Sequence, residues 1–360
     1  MALVAIAGSG AVAFTCACHL ASIGHQAMVW APSGNGTAGM GDEVEITSRG
    51  HLNGQFPVKV AHNPETLAAA SDLVLVAVPA FGQKMVIDTL LPHLRDGQTV
   101  VLMSAQMSLS ALYLAKAVAA SGKSIRVAGL HGPMTRGRRI SPTEYAQVAP
   151  NRRSFIAAVP VADTAVVIET MQAIFGNYFH AAPHGLEVAF NGIAGVFHSA
   201  LALANLTRME SGEEWCGYRH TTDSIGNLAE ALDAERVAVA RALDIGVPDL
   251  LTYIGAPAKG RTVPEIFRPL AYEEYTRNGP REVEHRYIEE EIPFNLGTIE
   301  TLGAKTGVPT PLISNLITLF GALRRRDYRQ RNSMAAALDV AGLTAPELIA
   351  LYRDGFGRTA

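Results

Sequence analysis

The sequence predicts an α/β protein, with an N-terminal Rossmann-type doubly wound parallel sheet followed by a mainly α-helical second domain. Three observations support this prediction: short apolar runs alternate with helical stretches in the N-terminal half, a glycine-rich turn follows the first run, and the pattern becomes helical after Gly185. A chain of 360 residues is long enough for two cores. We expect a dinucleotide-binding domain at residues 1–183 and a helical substrate and catalytic domain at residues 184–360.

The composition narrows the functional class. Hydrophobic residues make up 48% of the chain and charged residues 18%, which is typical of a globular protein and not of a disordered one. The net charge of −3 and the lack of a basic stripe with interleaved aromatic residues argue against a nucleic-acid partner. Cys16, Cys18 and Cys216 have neither disulfide nor zinc-ligand spacing, so no metal site is expected.

The N-terminal apolar stretch lacks the basic residues that begin a signal peptide, and glycines interrupt it. No later stretch has the roughly 18 or more uninterrupted apolar residues that are needed to span a bilayer. We therefore expect a cytoplasmic protein without a membrane partner. The sequence is compatible with a homodimer but does not determine the oligomeric state.

The alternating pattern defines the predicted elements of the first domain. The predicted strands, buried on both faces in a parallel sheet, are residues 2–7, 27–30, 72–78 and 99–103, with a weaker candidate at 58–60. The predicted helices between them are residues 11–23, 82–91 and 109–120.

The turn after the first strand carries a dinucleotide-binding pattern. It consists of Gly8, Ser9, Gly10, Ala11, Val12 and Ala13. Gly8 permits a tight turn, Gly10 lets a pyrophosphate approach the backbone, and the small Ala13 lets the helix pack closely on the strand. The N-terminus of that helix offers free N–H groups and a positive dipole end to the phosphates. The alternative is a glycine-rich turn that binds no ligand. The position of the turn between a buried strand and a helix favours the dinucleotide site over this alternative.

The form of the nicotinamide cofactor is less clearly encoded. NAD enzymes usually carry an acidic residue after the second strand, but residues 31–37 contain none. Ser33 and Asn35 are suited to donate to a 2′-phosphate, and Arg49 is the nearest candidate arginine. We predict NADP as the preferred cofactor and keep NAD as the alternative.

A histidine in the second domain is the candidate acid/base. His198 lies in a long apolar stretch, residues 188–209, and is seven residues from both Asn191 and Asn205, so the three share one helical face. A histidine in apolar surroundings is more often a core residue, but hydride-transfer chemistry needs a group that exchanges protons near neutral pH. We predict Asn205 as a substrate-binding residue.

Several segments along nearly the whole chain resemble the opine dehydrogenase family, which includes octopine and nopaline synthases and the N-carboxyethyl-norvaline dehydrogenase type. The similar segments are residues 30–35 (Trp-Ala-Pro-Ser-Gly-Asn), 196–198 (Val-Phe-His), 227–236, 285–291 (His-Arg-Tyr-Ile-Glu-Glu-Glu) and 308–311 (Val-Pro-Thr-Pro). Together they are much more specific than the glycine motif.

The resemblance implies that NAD(P)H reduces the imine formed from an α-keto acid, by default pyruvate, and the amine of an amino acid. It also implies a substrate site in a cleft between the domains. His198 would be the general acid/base, and Glu291 matches the position of the aspartate that supports this histidine in the family. Glutamate is one methylene longer, which is a departure from the family pattern; Glu290 is the alternative partner. Arg286 matches a substrate-side or structural arginine.

Two other functions remain open at this stage. A dehydrogenase of the ketopantoate or glycerol-phosphate type would use a lysine, but the second domain contains only Lys259 and Lys305. A sensor that binds NADP(H) without turnover is the non-enzymatic alternative.

Overall fold

The computed structural model describes residues 1–105, 107–148, 153–255, 261–270 and 279–357. The chain forms two compact units, one made of Met1–Val188 with Glu347–Ala360 and the other of Ala189–Pro346. The predicted boundary after residue 183 lies close to the first division. The predicted second domain extends to residue 360, but the chain returns to the first unit at Glu347.

The first unit is built on one sheet of eleven strands in the order β11-β10-β7-β6-β5-β1-β2-β4-β3-β9-β8. The strands are β1 Leu3–Ala7, β2 Gln26–Trp30, β3 Glu43–Gly50, β4 Gly54–Ala61, β5 Leu73–Val76, β6 Thr99–Leu102, β7 Arg126–Leu130, β8 Arg136–Ser141, β9 Glu144–Val148, β10 Ser154–Ala158 and β11 Phe179–Ala181. The helices are α1 Ala11–Ser22, α2 Pro64–Ala70, α3 Ala80–Leu90, α4 Ser110–Ser121 and α5 Thr164–Phe175.

The six central strands, β7-β6-β5-β1-β2-β4, are parallel, as the alternating pattern predicts. Their side chains are buried on both faces; Val4, Ile6, Val74 and Val101 have no exposed surface. The carboxyl ends of β1 and β2 meet at one edge of the sheet, where Ala7 pairs with Trp30. In such sheets, ligands bind at the carboxyl edge.

The sheet continues on both sides with strands that the sequence did not clearly indicate. β3 is antiparallel to β4, β8 is antiparallel to β9, and β10 is antiparallel to β7. β8 contains Arg136, Arg138 and Arg139 in a six-residue run of polar character. Charged side chains on an edge strand oppose edge-to-edge pairing, so this strand has no apolar signal to detect.

The C-terminal helix packs into the first unit and explains why the chain returns there. In α16, Ala345–Asp354, Tyr352 is 2% exposed. Gly185 lies against its ring, and a methyl group at Gly185 would collide with the ring carbons. Gly355, with φ of +75°, lies against Pro160. These contacts join residues far apart in sequence, which periodicity does not reveal.

The described part of the second unit is helical. After α6, Gly185–Phe190, its helices are α7 Ala194–Ala204, α8 Leu206–Glu210, α9 Asp223–Ala242, α10 Leu250–Tyr253, α11 Val263–Leu270, α12 Arg286–Glu289, α13 Gly297–Thr306, α14 Pro311–Arg324 and α15 Ser333–Ala337. A π-helix spans Glu291–Leu296, between α12 and α13. Short π-helical turns occur frequently at functional sites.

The apolar stretch predicted as one helix over residues 188–209 is broken into α6, α7 and α8. By length and apolar composition alone, Gly185–Ala204 would be able to cross a membrane, but 72% of its most apolar window is buried inside the protein. Burial accounts for its apolar character.

Candidate active site

The glycine turn between β1 and α1 has the geometry that its sequence predicts. Gly8 has φ of +141°, and its N–H donates to the carbonyl oxygen of Trp30 at 2.9 Å. A Cβ atom at Gly8 would collide with the backbone carbonyl of Ala77, just after β5. Only glycine fits both the backbone conformation and this close approach.

The N-terminus of α1 is suited to bind an anion. Gly10 is the N-cap residue, no side chain of the described residues caps this end, and the first turn contains no acidic residue. The first N–H groups of a helix have no partner within the helix, which here involves Ala11, Val12 and Ala13. No residue in the described part of the chain would lie within 4 Å of a Cβ atom at Gly10. Open space beside free N–H groups fits a pyrophosphate.

The turn after β2 lies against the glycine turn. Ser33 and Asn35 are exposed, and Asn35 begins a single 3₁₀ turn, Asn35–Thr37. Gly36 approaches the Ser9 side chain so closely that a Cβ atom there would overlap the serine hydroxyl. Gly36 is not among the predicted cofactor residues, although it is a glycine within the segment assigned to the cofactor.

Arg49 was the arginine considered for a 2′-phosphate. It lies on β3, and its Nε donates to a carboxylate oxygen of Glu144 on β9. The described structure therefore gives Arg49 a role in joining two strands.

The acid/base candidates meet in the second unit. His198 lies on α7, Glu291 begins the π-helix, and the distance from His198 Nδ1 to Glu291 Oε1 is 2.7 Å. The histidine side chain is 15% exposed and the glutamate side chain 2%. The additional methylene of glutamate therefore does not prevent the predicted pairing, and Glu291, not Glu290, is the partner of His198.

Burial and charge act in opposite directions on this pair. Burial lowers the pKa of His198 below its ordinary value, the Glu291 carboxylate opposes this shift, and the charge of Arg286 adds to it. Burial by itself raises the pKa of Glu291, but His198, Arg286 and Asn295 together hold it below the ordinary value. Glu291 is therefore ionised beside an imidazole that titrates below its ordinary pKa.

Arg286 and Tyr287, in the first turn of α12, border the pair. The Arg286 side chain is 49% exposed, and its nearest guanidinium nitrogen is 3.8 Å from Glu290 Oε2. The Tyr287 ring stacks on the His198 imidazole, with centroids 3.9 Å apart and planes inclined by 12°. Tyr287 is not among the predicted site residues, because stacking between side chains of two helices leaves no local signal in the sequence.

Asn205 lies at the C-terminal end of α7 and is 4% exposed. Its Nδ2 donates to the carbonyl oxygen of Leu201 at 2.9 Å. Asn191 precedes α7, so the seven-residue spacing of Asn191, His198 and Asn205 does not follow one continuous helix. The amide of Asn205 closes the helix end, and its contact with substrate stays a prediction.

Two family models match different parts of the chain. The model described as "NAD/NADP octopine/nopaline dehydrogenase, alpha-helical domain" matches residues 181–324, and "Ketopantoate reductase PanE/ApbA" matches residues 4–106. Among curated relatives, an "Opine dehydrogenase" of Arthrobacter sp. (strain 1C) is 26% identical over 84% of this chain and 86% of the relative. "Protein ocs" of Agrobacterium tumefaciens (strain Ach5) is 23% identical over 97% of this chain and 98% of the relative.

Solved structures share the fold along nearly the whole chain. An octopine dehydrogenase with NADH and L-arginine has a TM-score of 0.70 at 16% identity, covering 97% of this chain and 98% of that one. Yersinopine dehydrogenase with NADP⁺ has a TM-score of 0.64 at 15% identity, covering 98% of each chain. The predicted fold class, a Rossmann-type domain followed by a helical domain, is confirmed.

Proposed function

The chain belongs to the opine dehydrogenase family, and from this premise we propose that it condenses a pyruvate-like α-keto acid with an amino acid. The protein is an NAD(P)-dependent oxidoreductase that acts on small molecules. The amine nitrogen adds to the keto carbon, water leaves to give an imine, and reduction of the C=N bond gives a secondary-amine dicarboxylate.

The buried pair of His198 and Glu291 is the observation that supports this reaction most directly. With Nδ1–H donated to Glu291 at 2.7 Å, the other ring nitrogen, Nε2, is left to exchange a proton with substrate. Protonated His198 donates to the keto-acid oxygen as the amine adds, and the neutral ring accepts a proton from the adding amine. Glu291 fixes the ring and stabilises its charged form.

The cofactor supplies the hydride when it is bound. We assign Gly8, Gly10 and the N-terminal turn of α1 to the pyrophosphate, because a free helix end and open space lie there. Ser33 and Asn35 are assigned to the ribose side. We propose that NADPH is preferred over NADH because no carboxylate follows β2 to bind a ribose 2′-hydroxyl. A lower KM for NADPH supports this preference, and a lower KM for NADH contradicts it.

Arg286 and Asn205 are the proposed substrate residues. The half-exposed guanidinium of Arg286 is suited to bind a carboxylate through two hydrogen bonds. One octopine dehydrogenase structure contains L-arginine, and another contains pyruvate. Substrates of this carboxylate-bearing class match an arginine beside the acid/base pair.

The test follows the absorbance of NADPH and NADH with pyruvate and a panel of amino acids. We expect oxidation only when keto acid and amine are both present, and a loss of at least about 10²-fold in His198→Ala, the usual effect of removing an acid/base group. His93→Ala, at an exposed histidine of the first unit, is the control. Cofactor binding without oxidation by any pair of substrates would contradict the proposed reaction and favour the sensor.

A lysine-dependent dehydrogenase is less well supported. Lys305 Nζ donates to the carbonyl oxygens of Ala341 at 2.9 Å and Leu343 at 2.5 Å, so its ammonium group joins α13 to a later turn. Lys259 lies outside the described residues.

We also propose a cytoplasmic location without nucleic-acid or membrane partners, and a homodimer as the assembly. Light scattering of the purified protein distinguishes a dimer from a monomer. Fractionation of cells tests the location.

A further inference from the structure

The carboxylate of Glu291 has a second partner besides His198. Its Oε2 accepts a hydrogen bond from Asn295 Nδ2 at 2.6 Å, while its Oε1 faces His198. Asn295 is 5% exposed and Glu291 is 1% exposed. A buried carboxylate is costly unless each oxygen is hydrogen-bonded, and the two partners together satisfy both oxygens.

The π-helix brings these two side chains together. Glu291 and Asn295 are four residues apart within Glu291–Leu296. A π-helix has wider turns than an α-helix, with bonds from i to i+5, so residues four apart remain on one face. Both side chains thereby face α7.

A glycine on α7 gives Asn295 the room to reach this position. A Cβ atom at Gly195 would lie 2.7 Å from Asn295 Cγ, 2.8 Å from its Cβ and 2.9 Å from its Oδ1. Gly195 is buried and three residues before His198, which places the two on one face of α7. The glycine contact and the hydrogen bond are independent observations that concern the same asparagine.

We propose that Asn295, held in the space left by Gly195, is the positioning residue that fixes Glu291 against His198. The proposal rests on the proposed acid/base function of His198. A glutamate has one more rotatable bond than an aspartate, so a second anchor is needed to hold its carboxylate in one orientation. Asn295 supplies that anchor and stabilises the ionised form by donating a hydrogen bond to it.

Two further side chains of the described residues act on the pair. Arg286 acts on both members of the pair, and Tyr287 stacks on the imidazole. Further charged groups on the surrounding elements have partners of their own: Glu290 with Arg286, Glu289 with Arg326, Arg324 with Glu284, and Glu300 with Arg329.

The test uses Asn295→Asp, which keeps the shape of the side chain but replaces the donor by a second carboxylate. Two carboxylates at this distance share a proton, so the acidic limb of the kcat/KM profile should move to higher pH by at least about one unit. We expect kcat at neutral pH to fall about tenfold or more, with no change in the KM of the cofactor. Asn227→Asp, the same change at an exposed position of α9, should leave the profile unchanged.

Two further variants separate positioning from simple destabilisation. Asn295→Ala removes the hydrogen-bond donor to Glu291 without adding charge. Gly195→Ala displaces the asparagine by steric overlap. Both variants should move the acidic limb of the kcat/KM profile to higher pH. Gly246→Ala, where an added Cβ would meet no described residue within 4 Å, is the control for Gly195→Ala. An unshifted limb with a uniform loss of activity at all pH values would show a merely structural role and overturn the proposal.

An NMR titration of the His198 ring tests the positioning role of Asn295 without substrate. The ring signal is assigned because it disappears in His198→Ala. The inflection that reports Glu291 should move to higher pH in Asn295→Asp. If no pair of substrates is turned over but this inflection moves, the proposed function fails and the positioning role stands. If the wild-type enzyme is active and neither the limb nor the inflection moves, only the positioning role fails.

Discussion

At position 291 the chain carries glutamate where the resemblance leads one to expect aspartate, and the residue retains its contact with His198. The 2.7 Å distance between Nδ1 and Oε1 is that of a charge-assisted hydrogen bond. The carboxylate enters from a π-helix, where backbone geometry differs from that of an α-helix. Glutamate, although one methylene longer than aspartate, therefore reaches the histidine from a π-helical backbone.

Glu291→Gln removes the charge and keeps the size of the side chain. Since the carboxylate opposes the lowering effect of burial, its loss should lower the pKa of His198 further. In the reductive direction His198 must be protonated, so the alkaline limb of kcat/KM should move to lower pH, with a rate loss of about 10²-fold. The pH profile of NADPH oxidation measures both effects.

Glu282→Gln, at an exposed residue just before this region, is the matched control and should behave as wild type. An alkaline limb at the same pH in Glu291→Gln and wild type would show that Glu291 does not act on the group that titrates.

At the scale of elements, two glycines of the turn between β1 and α1 serve different purposes. One is required by the backbone conformation, and the other is required only by a bound ligand. Gly8 is required by the backbone, because its φ is +141° and a Cβ atom would strike Ala77. None of the described residues would come within 4 Å of a Cβ atom at Gly10, so packing in the described part of the fold does not require glycine there. The need for glycine at position 10 arises only if a ligand approaches the backbone.

Gly10→Ala is therefore expected to leave the melting temperature unchanged and to weaken NADPH binding about tenfold or more. The added methyl group would occupy the space assigned to the pyrophosphate. Fluorescence titration with NADPH and thermal unfolding without ligand check the two parts of the prediction.

Gly97→Ala is the control. No described residue lies within 4 Å of an added Cβ atom there, but the φ of +86° disfavours alanine, so this variant should lower the melting temperature without changing the affinity for NADPH. Unchanged NADPH affinity in Gly10→Ala would place the pyrophosphate elsewhere.

At the scale of the whole molecule, the first unit is completed by the end of the chain. Glu347 and the residues that follow it belong to the same unit as the eleven-stranded sheet. Leu348 and Tyr352 are the buried side chains of α16, and the Tyr352 ring lies against Gly185. The two units are thus not two successive halves of the sequence.

Tyr352→Ala should destabilise the first unit by about 3 kcal/mol, the usual cost of truncating a buried aromatic residue. Denaturant unfolding followed by circular dichroism measures the change. Phe81→Ala, at a residue of the same unit that is 53% exposed, should change stability by less than about 0.5–1 kcal/mol. Equal effects of the two substitutions would show that the C-terminal helix contributes little to the stability of the first unit.

Much of the architecture could be predicted from local sequence, because an apolar run, a turn and a helix start are each recognised from residues that lie close together in the chain. The run at residues 2–7, the glycine turn and the following helix correspond to β1 and α1, with ends that differ by one residue. β8 and β9 could not be predicted in this way, because they lack the continuous apolar pattern of the central strands, although they are no shorter than β5 and β6. The break between α6 and α7 is not among the predicted boundaries, because apolar residues continue on both sides of it.

The sequence by itself determined the strand–turn–helix unit and, through family resemblance, the residues His198 and Glu291. Tertiary structure alone decided how they meet, since 93 residues separate them. It also decided that Asn295 completes the carboxylate site, that Tyr287 stacks on the imidazole, and that the C-terminal helix packs into the first unit. The physical reason is that periodicity and turn chemistry act over one or two turns of chain, whereas packing selects contacts between segments distant in sequence.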